Sequence, residues 1–493
     1  MQTRETPVKN HRWTLRRLSS VSLFPLLVLL VCATHVSGMT NYYVDNAMTT
    51  SGNGSLEAPF HTIQEGLNHL APGDTLWLRG SKEGARVYNE NLVLPISGTV
   101  SQPITVTVYP AERVMLTGTT GTRLRIDKDY WTFDGLLIDQ AGLAADAIKI
   151  NAQHIAIKNA EIRNGHRDGI SIEEAGFVTI QDSYIHDFMW VSDGQRLDAH
   201  CIIIKTNRSP NITNITIHQN MIERCSGDGI QVFGVTGQDV STYAKNIVIT
   251  NNTFIDGTTV PGLTENALDV KAANTVVVHG NTMTGYKNNK AIVIQKGCRN
   301  ITVEDNIISH GLSGIEMRQE GGLAFLQANH RVVGNLLHHL ASYALKFDGV
   351  EDVVVIHNTL AHLGTEAFRF ESSLGTSVPA VNRGMIKNNL IFAAGKAPTG
   401  VARLSQVEVG FNGWFLATPS GMSSPSDTTG TEPLFTDITN GRYALQAGST
   451  AIDAGTSVGR AFIGSAPDLG AFEYNLSAAP VPPAAPHNLK VSR

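Results

Sequence analysis

The stretch NITVEDNIISHGLSGIEMR (residues 300–318) decides the fold of this chain. Apolar residues occupy alternate positions in NITVEDNII and again in SGIEMR, as expected of β-strands, whose successive side chains point to opposite faces. Polar and small residues lie between the two halves, and residues of this kind favour turns. The stretch therefore predicts two short strands separated by sharp bends.

The first half of this stretch recurs along the middle of the chain. Its copies are HIAIKNAEI (154–162), FVTIQDSYI (177–185), NITIHQNMI (214–222), NIVITNNTF (246–254), TVVVHGNTM (275–283), NITVEDNII (300–308), NHRVVGNLL (329–337), DVVVIHNTL (352–360) and RGMIKNNLI (383–391). From the third copy onward the seventh residue is asparagine: Asn220, Asn252, Asn281, Asn306, Asn335, Asn358 and Asn389. An asparagine at one bend of every winding can bond to its neighbours above and below, and it tolerates the left-handed conformation. This repetition predicts a solenoid with an asparagine ladder, whereas a β-sandwich does not keep one residue type at one turn.

The second half recurs as well, and it predicts which side chains face outward. Its copies are DAIKIN (146–151), DGISIE (168–173), HCIIIK (200–205), DGIQVF (228–233), NALDVK (266–271), KAIVIQ (290–295), SGIEMR (313–318), YALKFD (343–348) and EAFRFE (366–371). Positions three and five are apolar and fill the interior, so positions four and six stand outward on one sheet. Windings stack about 4.8 Å apart, and each outward position therefore becomes a column of neighbouring side chains.

The two ends of the repeat differ from its middle in ways that predict caps. PFHTIQEGLNHL (59–70) has an amphipathic helical pattern suited to covering the first winding, and residues 432–474 contain short strand and turn patterns suited to the other end. Residues 39–475 are accordingly predicted to be one capped solenoid. Residues 476–493 are predicted to be a proline- and alanine-rich linker with a short tail.

Residues 1–38 have the pattern of an export signal. Basic residues precede an apolar run over 21–33, which ends in small residues at Ser37 and Gly38 and is short for a membrane span. We therefore expect a secreted protein, extracellular or periplasmic, with no membrane span after cleavage. Three cysteines would remain, Cys201, Cys225 and Cys298, and an odd number leaves at least one without a partner in the chain.

Charge and composition narrow the choice of partner. The formal net charge is -5 and only 16% of the residues are charged, so the basic surface needed to bind nucleic acid is lacking. Glycine is abundant, with 46 residues, which suits an all-β array. The expected partner is an extended acidic polysaccharide, bound by a monomer.

The chain resembles the pectate-lyase-like family of right-handed β-helix proteins over about residues 41–474. The resemblance rests on the asparagine positions, the winding pattern and the opening YYVDN...GSLEAPFHTIQEGL...APGDTLWLRG. It implies an all-β, right-handed, single-stranded parallel β-helix with an N-terminal capping helix and a C-terminal β cap. It leaves activity open, because the family includes lyases, hydrolases, epimerases, adhesins and inert spacers.

The outward columns carry the candidate catalytic residues. Both signs of charge concentrate between residues 269 and 371, in a chain that is poor in charge elsewhere. Cations beside carboxylates suit a uronate polymer, because they can neutralise the sugar carboxylate and a neutral lysine can then abstract the acidified proton. We expect the following residues to act in such a β-elimination: Lys271 as the base, Arg318 and Lys346 on the substrate carboxylate, and Asp269 and Glu316 orienting the cations.

A second resemblance supports the choice of Lys271. ENALDVK (265–271) resembles the winding that bears the catalytic lysine in β-helix lyases of the chondroitinase B and alginate lyase type. In those lyases the next winding carries an arginine, whereas here it offers Gln295 in the matching column, with Arg318 one winding higher. We further expect neighbouring cations to lower the pKa of Lys271.

Other roles and other functions are also compatible with these residues. Lys205 and Arg369 are predicted to bind substrate, Trp190 to stack on a sugar ring, and Asp269 with Glu316 to hold a calcium ion. The same two carboxylates could instead serve a glycoside hydrolase, and a non-catalytic binding solenoid is a third alternative. Simple surface ion pairs would explain the same charges. Asp168 and Asp228 are interpreted as turn residues, as are the histidines His310, His338, His339 and His362.

Overall fold

Most windings of the chain add one strand to each of three parallel sheets, which are numbered in the order in which the chain meets them. The computed structural model describes residues 39–206, 212–258, 262–319, 326–375 and 377–475. Sheet 1 has fourteen strands: Asn41–Val44, Thr75–Leu78, Ile104–Val108, Trp131–Asp134, Gln153–Lys158, Gly176–Gln181, Thr213–His218, Ala244–Thr250, Ala273–His279, Arg299–Glu304, Gln327–Val333, Val350–Ile356, Val381–Lys387 and Leu404–Gly410.

Sheets 2 and 3 follow in each winding. Sheet 2 has fourteen strands: Arg86–Asn89, Val114–Thr117, Leu137–Asp139, Glu161–Gly165, Tyr184–Phe188, Met221–Cys225, Thr253–Ile255, Thr282–Thr284, Ile307–Ser309, Leu336–Leu340, Thr359–Glu366, Leu390–Lys396, Gly413–Phe415 and Thr428–Gly430. Sheet 3 has eleven strands: Leu92–Val93, Leu124–Ile126, Ile148–Ile150, Ile170–Ile172, Ile202–Lys205, Ile230–Phe233, Leu268–Lys271, Lys290–Gln295, Ser313–Arg318, Leu345–Asp348 and Phe368–Glu371. This order of three sheets is the right-handed parallel β-helix that the repeats and the family resemblance predict.

The remaining elements lie at the ends of the solenoid and in its loops. The N-terminal helix covers Ile63–His69 and begins after Thr62, whose side chain accepts a hydrogen bond from the backbone N–H of Glu65. Two antiparallel hairpins pair Trp190–Ser192 with Gln195–Leu197, and Phe435–Asp437 with Arg442–Leu445. Short 3₁₀ turns cover Val240–Thr242, Val401–Arg403 and Ile438–Asn440.

The register of sheet 3 gives the outward columns that the second pattern predicts. Lys271 pairs with Gln295, which pairs with Arg318 in the next winding. Asp269 pairs with Val293, which pairs with Glu316. Parallel pairing without a shift stacks equivalent positions, so residues far apart in sequence share one outward face.

The asparagines at the bend bond to one another from winding to winding. The backbone N–H and the Nδ2 of Asn306 both donate to Oδ1 of Asn335, at 3.0 and 2.9 Å. The same pattern starts at Asn220 and continues past Asn389 to Asn412, which lies beyond the repeats identified in the sequence. These side chains are buried, so the bonds replace contacts with water at every bend.

The left-handed backbone at this bend lies one residue earlier than expected. Asp305, and not Asn306, has a positive φ, of 52°, and the residues before the other ladder asparagines have the same conformation: Gln219, Asn251, Gly280, Gly334, His357 and Asn388. The asparagine side chain must point into the bend to reach the next winding, and the preceding residue makes the reversal. The left-handed conformation favours glycine, asparagine and aspartate, and five of these seven preceding residues are of those types.

The predicted export signal, residues 1–38, and the predicted linker, residues 476–493, lie outside the described residues. In the part of the chain that is described, the helices are all too short to cross a lipid bilayer. Cys201 and Cys225 form a disulfide, and Cys298 is a free, buried thiol.

Candidate functional site

Lys271 lies at the end of strand Leu268–Lys271 and faces outward from sheet 3. Its Nζ is 3.0 Å from Oδ2 of Asp269, and only 15% of its side chain is exposed. The ammonium also lies 5.8 Å from the centre of the Phe233 ring, one winding below. Lys271 is therefore held in place by a carboxylate and an aromatic ring, while its tip still reaches the surface.

The charges around Lys271 differ in sign from those expected. Burial lowers the pKa of the ammonium, but Asp269, Asp228 and Glu265 raise it by more, so that its pKa lies above the usual value. The expectation of a pKa lowered by neighbouring cations is wrong, because carboxylates of two adjacent windings surround this side chain. Lys271 is charged at neutral pH in the free protein.

Lys271 and the carboxylates of Asp269, Asp228 and Glu265 form an acidic pocket, and Asp228 is its most buried member. Its Oδ1 accepts a hydrogen bond from Nδ2 of Asn266 at 2.9 Å, and its Oδ2 accepts one from Nε2 of Gln231 at 2.7 Å. Burial raises its pKa, and the negative charge of Asp269 raises it further. Asp228 is fully buried, which its interpretation as a turn residue did not anticipate.

Glu265 and His200 border the same pocket. Burial, together with Asp228 and Asp198, raises the pKa of Glu265 to about 7 although Arg196 lies 3.5 Å away. Burial lowers the pKa of His200, whose Nδ1 accepts a hydrogen bond from the backbone N–H of Asp228 at 2.8 Å. A carboxylic acid that titrates near neutrality and a neutral imidazole are both suited to proton transfer.

Gln295 connects this pocket to Arg318. Its Nε2 donates to both oxygens of Asp269, at 2.8 and 3.0 Å, and its Oε1 accepts from Nε of Arg318 at 3.0 Å. Gln295 is fully buried, so its amide has few alternative partners. The predicted base and the predicted carboxylate-binding arginine are therefore joined through two side chains across three windings.

A second cluster of charges surrounds Glu316, higher on sheet 3. The hydroxyl of Tyr343 donates to Oε2 of Glu316 at 2.6 Å, and the ammonium groups of Lys346 and Lys290 lie 3.5 and 3.8 Å from its carboxylate. Burial alone raises the pKa of Glu316, but the Tyr343 hydrogen bond and the cations, Arg318 among them, hold it below its usual value. Glu316 is thus an anion with two ammonium groups close to its carboxylate, and its orienting role stays a prediction.

The predicted substrate-binding residues lie at the two ends of this face. The Nε of Arg369 is 2.5 Å from Glu366, and its guanidinium stacks over the Tyr343 ring at 4.3 Å. Lys205 lies 3.2 Å from Asp168 and 3.4 Å from Glu173. Both cations keep carboxylate partners, so an anionic ligand would have to compete with those partners.

A cleft of about 350 Å³ lies below Lys271 and is lined by Phe233, the ring nearest to the Lys271 ammonium. Trp190, Lys205 and Phe233 all line it, with Trp190 contributed by the hairpin that interrupts the windings. An aromatic wall beside an ammonium group is a suitable surface for a sugar ring that carries a carboxylate. The cleft brings together the two lower residues that the sequence nominated for substrate binding.

Asp269 and Glu316 do not converge on a common position for a cation. Two windings separate them, about 10 Å at the backbone, and each carboxylate already contacts an ammonium group. Calcium prefers several oxygen ligands around one point, so this pair does not fit a shared ion. Within the described ranges, one cluster does bring three metal-ligating atoms within 4.8 Å of one another: His279, Glu304 and Asp305, on sheet 1 and the bend that follows.

Comparisons with known proteins agree with this architecture. Residues 42–187 match the family described as Pel9A-like, right-handed β-helix region, and residues 126–295 and 188–360 match the right-handed β-helix region family. No curated protein matches the chain.

Several solved structures are similar to the chain. One is a mannuronic acid-specific polysaccharide family 6 lyase from human gut microbiota, with 14% identity, 77% of this chain and 87% of that chain covered, and a TM-score of 0.53. Another is a PL6 family polysaccharide lyase from Pseudopedobacter saltans, with 16% identity, coverage of 73% and 92%, and a TM-score of 0.52. Pectate lyase Pel9A has 18% identity, coverage of 90% and 98%, and a TM-score of 0.41. At these identities the likeness concerns the fold.

Proposed function

We propose, from the premise that the chain is a right-handed β-helix protein of the pectate-lyase-like kind, that it is a secreted polysaccharide lyase. Its substrate would be an uronate-containing polysaccharide, cleaved by β-elimination. The observation that carries this proposal is the chain of contacts Lys271, Asp269, Gln295 and Arg318, which places two cations on one outward face. Two similar structures with TM-scores above 0.5 are polysaccharide lyases, which favours this class over others on the same fold.

The chemistry assigns one role to each cation. Arg318 pairs with the substrate carboxylate and stabilises the negative charge that develops when the proton at C5 leaves. The deprotonated Nζ of Lys271 takes that proton, the electron pair forms a double bond between C4 and C5, and the bond from C4 to the glycosidic oxygen breaks. The departing oxygen receives a proton from solvent or from a neighbouring acid.

The remaining cations would bind further sugars along the same face. Lys346 and Arg369 lie above Arg318 in the column of Glu316, and Lys205 lies in the lower cleft beside Trp190. An extended polymer can contact all of these positions because sheet 3 is long and its windings are evenly spaced. No step of this mechanism is assigned to calcium, since Asp269 and Glu316 do not share a site.

A glycoside hydrolase is the second candidate, and one specific observation favours it. Glu265 has a pKa of about 7 and keeps 27% of its side chain exposed, which suits a general acid. The pair first considered for this role, Asp269 and Glu316, is less suitable because the cations around Glu316 hold its pKa low. A hydrolase would therefore depend on Glu265.

Export is part of the same proposal. The disulfide between Cys201 and Cys225 is compatible with an oxidising compartment, where such bonds form and persist. A polymer substrate would also be found outside the cell. We propose an extracellular or periplasmic location.

The test is a screen of the purified protein on alginate, pectate and glycosaminoglycans. A lyase generates the ultraviolet absorbance of an unsaturated uronate, and Lys271→Ala should abolish that absorbance while Lys245→Ala, exposed on sheet 1, leaves it unchanged. If new reducing ends form without this absorbance, the protein is a hydrolase and the lyase proposal is wrong. If the protein is retained on a polysaccharide column but cleaves none of the substrates, it is a non-catalytic binding solenoid.

A further inference from the structure

Three histidines form a stack along one bend of sheet 2, away from the outward face of sheet 3. His310, His339 and His362 have positive φ angles of 55°, 53° and 52°, and they occupy equivalent positions in successive windings. The rings of His310 and His339 are 5.1 Å apart with an interplanar angle of 2°. Those of His339 and His362 are 4.7 Å apart at 23°.

A fourth histidine approaches this stack from the side. His338 is 6% exposed, and its Nδ1 lies 2.9 Å from Nδ1 of His339. Its ring is also 5.5 Å from that of His310, with the planes almost perpendicular. Four imidazoles therefore meet at one place, and two of their nitrogen atoms face each other.

The C-terminal hairpin covers one side of the cluster. Tyr443, which is 2% exposed, places its ring 5.0 Å from His338 and 6.1 Å from His362. The turn before it, through Ile438, Thr439 and Gly441, lines a cleft of about 410 Å³ together with the four histidines. The cluster is thus enclosed on one side and accessible to small solutes on the other.

Two polar atoms at this place lack the partners that buried polar atoms normally have. Nε2 of His362 and the hydroxyl of Tyr443 are buried and make no hydrogen bond to any described residue. Buried polar groups are paired in the great majority of cases, so two such atoms beside one cluster point to a ligand.

We propose that His338, His339 and His362, with His310 alongside, bind a transition-metal dication of the zinc, nickel and copper class. Imidazole is a preferred ligand of these ions. Two nitrogen atoms bound to one tetrahedral zinc lie about 3.4 Å apart, given metal to nitrogen distances near 2.1 Å. The Nδ1 atoms of His338 and His339, 2.9 Å apart, are close to that separation, whereas the His362 ring has to reorient to supply a third nitrogen.

The cluster of His279, Glu304 and Asp305 is a rival position for the same ion. Its atoms are close together, with Nδ1 of His279 3.3 Å from Glu304 and 3.8 Å from Asp305. However, Arg460 already pairs with Asp305 at 2.7 Å, and the positive guanidinium opposes a second cation. The histidine cluster has no such competing charge among the residues described around it.

The experiment is a calorimetric titration of the untagged, chelator-treated protein with Zn²⁺ and with Ni²⁺ at neutral pH. We expect one ion per chain with a dissociation constant in the micromolar range or tighter, and a loss of affinity of at least about tenfold in His339→Ala and in His362→Ala. Copper loaded into the same protein should give an electron paramagnetic resonance spectrum with splitting from several imidazole nitrogens.

Two control variants distinguish binding at the histidine cluster from binding elsewhere on the protein. His154→Ala removes a histidine at a similar bend, with φ of 58°, whose ring stacks between Tyr130 and Phe177 instead of other histidines. The affinity of this variant for the metal ion should equal that of the unaltered protein. His279→Ala tests the rival cluster. The proposal is overturned if no ion binds, or if the affinity is lost in His279→Ala and retained in a folded His339→Ala variant.

Discussion

Nζ of Lys271 and Oδ2 of Asp269 lie 3.0 Å apart, two residues from each other on one strand of sheet 3. Both side chains point outward because the strand alternates, with the apolar side chain of Val270 between them facing the interior. The carboxylate holds the ammonium in position and also stabilises its charge. A lysine in this state can act as a base only after it has lost a proton, which links the proposed activity to pH.

Turnover of the proposed substrate should therefore rise with pH through the alkaline range. Asp269→Asn removes the closest negative charge, which lowers the pKa of Lys271 and moves the rising limb of the rate profile to lower pH by about 1 unit or more. Initial rates of double-bond formation against pH measure this shift. Glu57→Gln, an exposed change on the first winding, should leave the profile in place. If the rising limb of the rate profile stays at the same pH in Asp269→Asn, Lys271 is not the group whose titration controls the rate.

Gln295 should act as a positioning residue, since its amide holds Asp269 and Arg318 at the same time. Gln295→Leu removes both hydrogen bonds at similar volume, and we expect kcat to fall by about 10²-fold through misplacement of the two charged groups. Substrate binding through the other cations should persist, so KM should change much less. The matched variant Gln181→Leu, on sheet 1, should behave like the unaltered protein. An equal loss of activity in both variants would indicate general destabilisation instead.

The residues of this site were predictable to different degrees. Lys271, Gln295 and Arg318 follow from the repeat, because parallel pairing without a shift turns sequence spacing into a column. Asp228 precedes a glycine in a turn pattern, and sequence alone does not tell that its carboxylate is buried and bonded to Gln231 of its own winding and to Asn266 of the next. Glu265 lies just before the winding of Lys271, outside the alternating pattern, and its raised pKa depends on burial and on charges of other windings. Periodicity predicts which face a residue occupies, whereas electrostatics depends on the neighbours that folding brings together.

The disulfide between Cys201 and Cys225 should contribute measurably to stability. It closes a loop with a sequence separation of 24, for which loop entropy predicts a contribution of about 3 kcal/mol. The double variant Cys201→Ala, Cys225→Ala should lose about that much free energy of unfolding, as measured by urea denaturation. Cys298→Ala, which removes the buried free thiol, serves as the comparison for the loss of sulfur atoms. Equal stability of the double variant and Cys298→Ala would mean that the bond is absent in the exported protein.

Asn306 should be among the most sensitive positions of the solenoid. Its Oδ1 accepts from both the backbone N–H and the Nδ2 of Asn281, at 2.9 Å each, and its Nδ2 donates to the carbonyls of Val278 and Glu304. Asn306→Ala leaves the buried backbone N–H of Asn281 without a partner, whereas Nδ2 of Asn281 keeps the carbonyls of Ile249 and His279. An unpaired buried group costs about 1–3 kcal/mol, so we expect the free energy of unfolding to fall by about 2 kcal/mol.

Hydrogen exchange can locate this effect. In Asn306→Ala, protection should fall first at the bends of the two windings that Asn306 connects, because each winding contacts mainly its neighbours. Asn68→Ala, on the exposed side of the N-terminal helix, should change the stability by less than about 0.5 kcal/mol. If Asn306→Ala were as stable as Asn68→Ala, the hydrogen-bonded asparagines would be a by-product of the winding, and the interior apolar residues alone would determine the stacking.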